Sequence, residues 1–79
     1  MWRVLARAEF TVEPFTEGRQ GPHVQAAIEA LAPLSPDIGP FGTAVEGDLD
    51  VVLDRAAAGI RAAMEAGATR VAVTMTVTP

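Results

Sequence analysis

The chain has 79 residues, almost half of them apolar and a fifth charged, with a formal net charge of −4 and no cysteine. That length supports one core and a single domain over residues 1–79, and the composition is too apolar for a disordered tail. The absence of cysteine excludes disulfides, thiolate nucleophiles and soft-metal sites, while six scattered arginines and no lysine give no basic patch for nucleic acid.

No run approaches the roughly 18 apolar residues of a membrane span, and Met1–Arg7 holds too short an apolar run for a signal peptide. The expectation is a cytoplasmic protein with no membrane partner.

From Val4 to Val12, Val4, Ala6, Ala8, Phe10 and Val12 alternate with Leu5, Arg7, Glu9 and Thr11, the two-residue period of a strand with one buried face. Pro14 ends it. The polar stretch Phe15–Gly21, with Gly18 and Gly21, reads as a loop.

Pro22 suits the first position of a helix, where its missing N–H has no intrahelical role. Val24, Ala27, Ile28 and Leu31 follow at helical spacing, and Pro33 disfavours helical geometry at Ala32.

Pro33, Pro36, Gly39 and Pro40 leave room for only a short strand around Ile38–Phe41. Thr43–Glu46 resume extended character up to Gly47. Asp48 is placed to cap a second helix by accepting from its free N–H groups. Its apolar stripe comprises Leu49, Val52, Leu53, Ala56, Ile60, Ala63 and Met64, with Asp54, Arg55, Arg61 and Glu65 facing water. Gly67 supplies a left-handed stop. Val71, Val73, Met75 and Val77 then alternate with Arg70, Ala72, Thr74 and Thr76 as a last strand.

The order strand, helix, strand, strand, helix, strand predicts an α+β, ferredoxin-like β-α-β-β-α-β domain: a four-stranded antiparallel sheet with both helices on one face. The other face stays open and carries Arg7, Glu9, Thr11 and Glu13 beside Ala72, Thr74 and Thr76.

The segments Ala8–Pro14, Pro40–Asp48 and Gly67–Val71, above all Phe41-Gly42-Thr43-Ala44-Val45-Glu46-Gly47, resemble the small thiamine-binding, YkoF-like domain family. The resemblance runs from about Ala8 to Val77. It implies the ferredoxin-like fold, association through the sheets into a homodimer or homotetramer and, in some members, binding of thiamine or its hydroxymethylpyrimidine half as a small-molecule ligand.

A pocket for an aminopyrimidine needs a carboxylate or carbonyl acceptor and hydroxyls that both give and take hydrogen bonds. Thr11, Thr43, Glu46 and Thr74 are those residue types and are the candidate ligand-binding residues. Each also has a plainer reading. Glu46 fits a solvated strand-end carboxylate, and the threonines are good strand formers. Gly42 lets a flat ring or another backbone approach closely, or simply permits a bend. Trp2 and Phe15 can stack on a heterocycle or fill an oligomer interface.

Catalysis finds little support in these residues. Glu9 and Glu13, four apart on a strand, stand about 13 Å apart, too far for a cooperating acid and base. His23 has no second histidine or cysteine to make a metal site and reads as an exposed helix-start residue. Gly18-Arg19-Gln20-Gly21 lacks the lysine and glycine spacing of a phosphate loop. The expected function is therefore non-enzymatic binding of a small molecule, with no catalytic residues, cofactor or metal. The alternative is a homo-oligomeric interaction module whose open sheet face is buried by self-association.

Overall fold

The computed structural model describes residues 4–14, 21–39 and 42–78. In chain order these form β1 (Leu5–Glu13), α1 (Pro22–Leu31), a 3₁₀ turn (Ala32–Leu34), β2 (Asp37–Ile38), β3 (Thr43–Asp48), α2 (Leu49–Glu65) and β4 (Arg70–Thr78). The sheet order is β2-β3-β1-β4, all antiparallel. This is the expected ferredoxin-like α+β architecture.

β1 is central because its alternation is the cleanest in the chain. Ala6, Ala8, Phe10 and Val12 are buried toward the helices, while Leu5, Arg7, Glu9 and Thr11 are exposed on the other face. Phe10 packs in the main core with Leu31 of α1, Val45 of β3 and Val52 and Ala56 of α2. A smaller cluster joins Val12, Ala27, Ala63 and Ala68.

The core strip of α2 is Val52, Ala56, Gly59 and Ala63. Such small residues let the helix lie close to its neighbours: a methyl added at Gly59 would sit 3.5 Å from Leu31 Cδ2 and 3.7 Å from Phe10 Cε2. Leu53, Ile60 and Met64, placed on the apolar stripe by periodicity, are instead 48%, 38% and 49% exposed. They lie roughly 100–140° round the helix from Gly59, on the side away from α1. The apolar arc of α2 is wider than the surface available to cover it.

Loop positions fix the ends of these elements. Gly67 has φ +106°, the left-handed stop expected of it. Asp48 occupies the N-cap position of α2, yet its side chain makes no capping hydrogen bond; the Leu49 N–H is instead satisfied by the Val4 carbonyl at 2.9 Å. His23 is half-buried and uses its Nε2–H to reach the Pro14 carbonyl, tying the start of α1 to the end of β1. Thr69 joins the start of β4 to the same region, its N–H donating to the Glu13 carbonyl at 2.8 Å.

No helix among the described residues is long and apolar enough to cross a membrane.

Candidate functional site

The open face is set by strand register. Arg7 pairs with Glu46 on β3 and Thr76 on β4, and Glu9 pairs with Ala44 and Thr74. Ala44 in turn pairs with Asp37 of β2, which brings that carboxylate onto the same row as Glu9. Glu9, Glu13, Glu46 and Asp37 thus stand on this face against Arg7 and Arg70, and the face is acidic.

Arg7 sits between two carboxylates. Its Nη1 donates to Glu46 Oε1 at 2.6 Å and its Nε to Glu9 Oε1 at 3.3 Å. The hydrogen bond to Glu46, then that to Glu9, pushes the guanidinium pKa upward. At the far end of the strand pair, Arg70 Nη1 lies 3.7 Å from Glu13 Oε1. All these groups are substantially exposed, so each pair contributes little to stability and mainly fixes where the side chains point.

A shallow hollow of about 350 Å³ opens on this face, lined by Arg7, Glu9, Thr11, Asp37, Thr43 and Ala44. Phe10, Gly39 and Gly42 complete the lining, and the Gly39 N–H donates to the Gly42 carbonyl at 2.8 Å. Gly42 is required there by close approach: a Cβ would fall 2.8 Å from the Phe10 carbonyl oxygen. Of the two roles open to this glycine, close approach of another backbone is the one realised.

Chemically the hollow has a flat floor at Ala44, carboxylate acceptors at Glu9 and Asp37 on either side of it, and the Thr11 hydroxyl able to donate or accept. Its volume is at the lower end for ligand pockets, sized for one or two small rings. No cluster of histidine and acidic residues suited to a metal ion occurs among the described residues.

Of the residues expected from the sequence, Thr11 and Thr43 line the hollow. Thr43 pairs with buried Phe10 and so belongs to the helix-side row, on the opposite sheet face from Glu46. Glu46 borders the hollow through its bond to Arg7. Thr74 shares the open face but stands across β1, outside the lining. Trp2, Phe15, the Gly18–Gln20 part of the glycine-containing loop, and Pro40 and Phe41 lie outside the described residues.

Sequence reasoning missed Asp37, which lies in a proline- and glycine-rich stretch with no periodic signal. It also placed Arg7 and Glu9 on the open face without seeing their ion pairs: that of Arg7 with Glu46 depends on the register of β3 against β1, whereas that of Arg7 with Glu9 lies within β1. The pairing of β2 with β3 is what makes Asp37 a neighbour of Glu9.

Comparison with known proteins adds an independent line. The family model described as "Thiamine-binding protein" matches residues 8–78. Among solved structures, a domain of unknown function (DUF77) from Bacillus cereus is 27% identical, with a TM-score of 0.67, covering 95% of this chain and 75% of that one. A protein described as a candidate for thiamine biosynthesis or salvage, from Thermotoga maritima, is 24% identical with a TM-score of 0.66, covering 95% and 83%. A hypothetical protein from Methanocaldococcus jannascii is 23% identical with a TM-score of 0.67, covering 99% and 81%. The last two likenesses bear on the fold alone. A search of curated proteins found no match.

Proposed function

Because the chain belongs to the thiamine-binding protein family, we propose that it binds thiamine, or the hydroxymethylpyrimidine half of it, in the open-face hollow and performs no chemistry on it. The observation that carries this reading is the acidic hollow itself, with Glu9 and Asp37 flanking Ala44 and Thr11 beside them.

Thiamine joins an aminopyrimidine to a permanently cationic thiazolium. Its exocyclic amine donates to a carboxylate, its ring nitrogens take a hydrogen bond from a hydroxyl, and its positive charge favours an acidic surface. Glu9 and Asp37 supply acceptors and charge, Thr11 supplies the hydroxyl, and Ala44 leaves room for a ring to lie flat. Thr43 adds to the rim. Glu46 acts through Arg7, holding the guanidinium to one side so that it does not cover the floor. Thr74 is next to Glu9 across β1 and contacts only the part of a ligand that extends toward β4.

The hollow is open to solvent, so a bound ring keeps one side wet and the affinity is modest, with a Kd about micromolar or weaker.

Isothermal titration of the chain with thiamine and with hydroxymethylpyrimidine tests this reading. Saturable binding that weakens in Glu9→Gln and Asp37→Asn supports it; binding unaffected by both substitutions places the site elsewhere.

A further inference from the structure

The two carboxylates of the hollow are not equivalent. Glu9 shares its charge with Arg7, whose Nε donates to Oε1 at 3.3 Å. Among the described residues no other side-chain hydrogen bond reaches Glu9, so its Oε2 is left to accept one from a ligand. Asp37 makes no ion pair among the described residues.

Distance keeps that difference in place. Asp37 stands two strands across from β1, on the row of Ala44 and Glu9, and two residues along the strands from the row of Arg7 and Glu46. Strand geometry then puts its Cα about 12 Å from that of Arg7, beyond the Debye length of about 10 Å at 0.1 M salt. The guanidinium therefore offsets Glu9 and leaves Asp37 its whole charge.

Hydroxyl groups are unequally placed as well. Thr11 follows Glu9 by two residues on the same strand face, about 7 Å along it. A methyl added at Gly42 would lie 3.8 Å from Thr11 Oγ1, so the bare glycine leaves this hydroxyl open to the hollow. Asp37 has no hydroxyl beside it on its own strand. Ile38 turns to the helix side, as the partner of Thr43 in the row of buried Phe10, and Gly39 has no side chain.

Resting on the binding reading above, we infer that the hollow holds its ligand one way round and that Asp37 is the residue that tells a cationic ligand from a neutral one. The aminopyrimidine lies against β1, its amine donating to Glu9 and a ring nitrogen accepting from Thr11. The thiazolium crosses the floor at Ala44 and stands against Asp37. The two carboxylates are about 10 Å apart at their Cα atoms, and the one-carbon bridge between the rings of thiamine lets a single molecule reach both. The reverse orientation sets a fixed cation beside Arg7 and takes the pyrimidine away from the hydroxyl. Hydroxymethylpyrimidine, which has no thiazolium, uses the Glu9 and Thr11 end alone.

The test is titration of the full chain with thiamine and with hydroxymethylpyrimidine, in the wild type, Asp37→Asn and Glu9→Gln, at low and high salt. Asp37→Asn is expected to weaken thiamine by up to about fivefold and to leave hydroxymethylpyrimidine unchanged. Glu9→Gln is expected to weaken both ligands by the same factor and so to keep the ratio of their affinities. In the wild type, added salt should weaken thiamine alone, a measurement that needs no variant to fold. An Asp37→Asn effect equal for the two ligands, a Glu9→Gln effect on thiamine alone, or equal salt dependence of the two overturns this inference while leaving the binding reading intact. Absence of binding by either ligand overturns both.

Discussion

Replacing Gly42 by alanine probes the contact that shapes the hollow. The added methyl carbon would lie 2.8 Å from the Phe10 carbonyl oxygen, well inside van der Waals contact, and the obstacle is backbone of the central strand, not a flexible side chain. The turn from β2 into β3 must then lift away from β1. Overpacking of this kind costs about 1–3 kcal/mol. At about 4–8 °C per kcal/mol for a domain of this size, the melting temperature should fall by between roughly 4 and 24 °C, read by circular dichroism. Gly59→Ala is the matched control. Its methyl meets nothing closer than 3.5 Å, and the gain in helix propensity is about 1 kcal/mol, so this variant should melt higher. Gly42→Ala melting with the wild type would show that the turn is not held against β1, and the geometry assigned to the hollow would be wrong.

Other perturbations have definite outcomes. Leu31→Ala empties a fully buried position between α1 and Phe10 and should cost about 2–5 kcal/mol in chemical denaturation; a smaller loss would mean the helices collapse onto the gap. Glu9→Gln and Asp37→Asn should each weaken a cationic ligand by up to about fivefold, the limit set by about 1 kcal/mol for a charge pair at 4 Å in water, and added salt should erase the difference. Arg7→Gln releases Glu46 and Glu9 and should tighten binding of a cation, the opposite sign; weaker binding would assign Arg7 a direct ligand contact. The raised pKa of Arg7 comes from hydrogen bonds to Glu46 and Glu9, so its favourable contribution is fully present at neutral pH and is lost only as pH rises far into the alkaline range. A stability titration across neutral pH should show no step from this group.

The fold was legible because both long strands announce themselves. β1 and β4 alternate through nine residues each, and Gly67 and Pro22 mark helix ends by backbone chemistry that does not depend on neighbours. The side-chain arrangement of α2 was less legible. Periodicity reveals an apolar arc but not how much of it a sheet covers, so Leu53, Ile60 and Met64 read as core when the small residues Ala56, Gly59 and Ala63 occupy that strip. The site was legible in kind and not in detail. An odd separation along β3 puts Thr43 and Glu46 on opposite faces, which parity alone foretells, yet the contribution of Asp37 depends on a two-residue strand in a stretch with no repeating pattern.

Titration of the wild-type chain with thiamine, followed by heat and by shifts of backbone amide resonances, tests the central claim most directly. The account predicts saturable binding with a Kd about micromolar or weaker, the largest shifts falling on Glu9, Thr11, Asp37 and Ala44. Saturation with no shift at those residues, or no binding of thiamine or hydroxymethylpyrimidine at millimolar ligand, would contradict it.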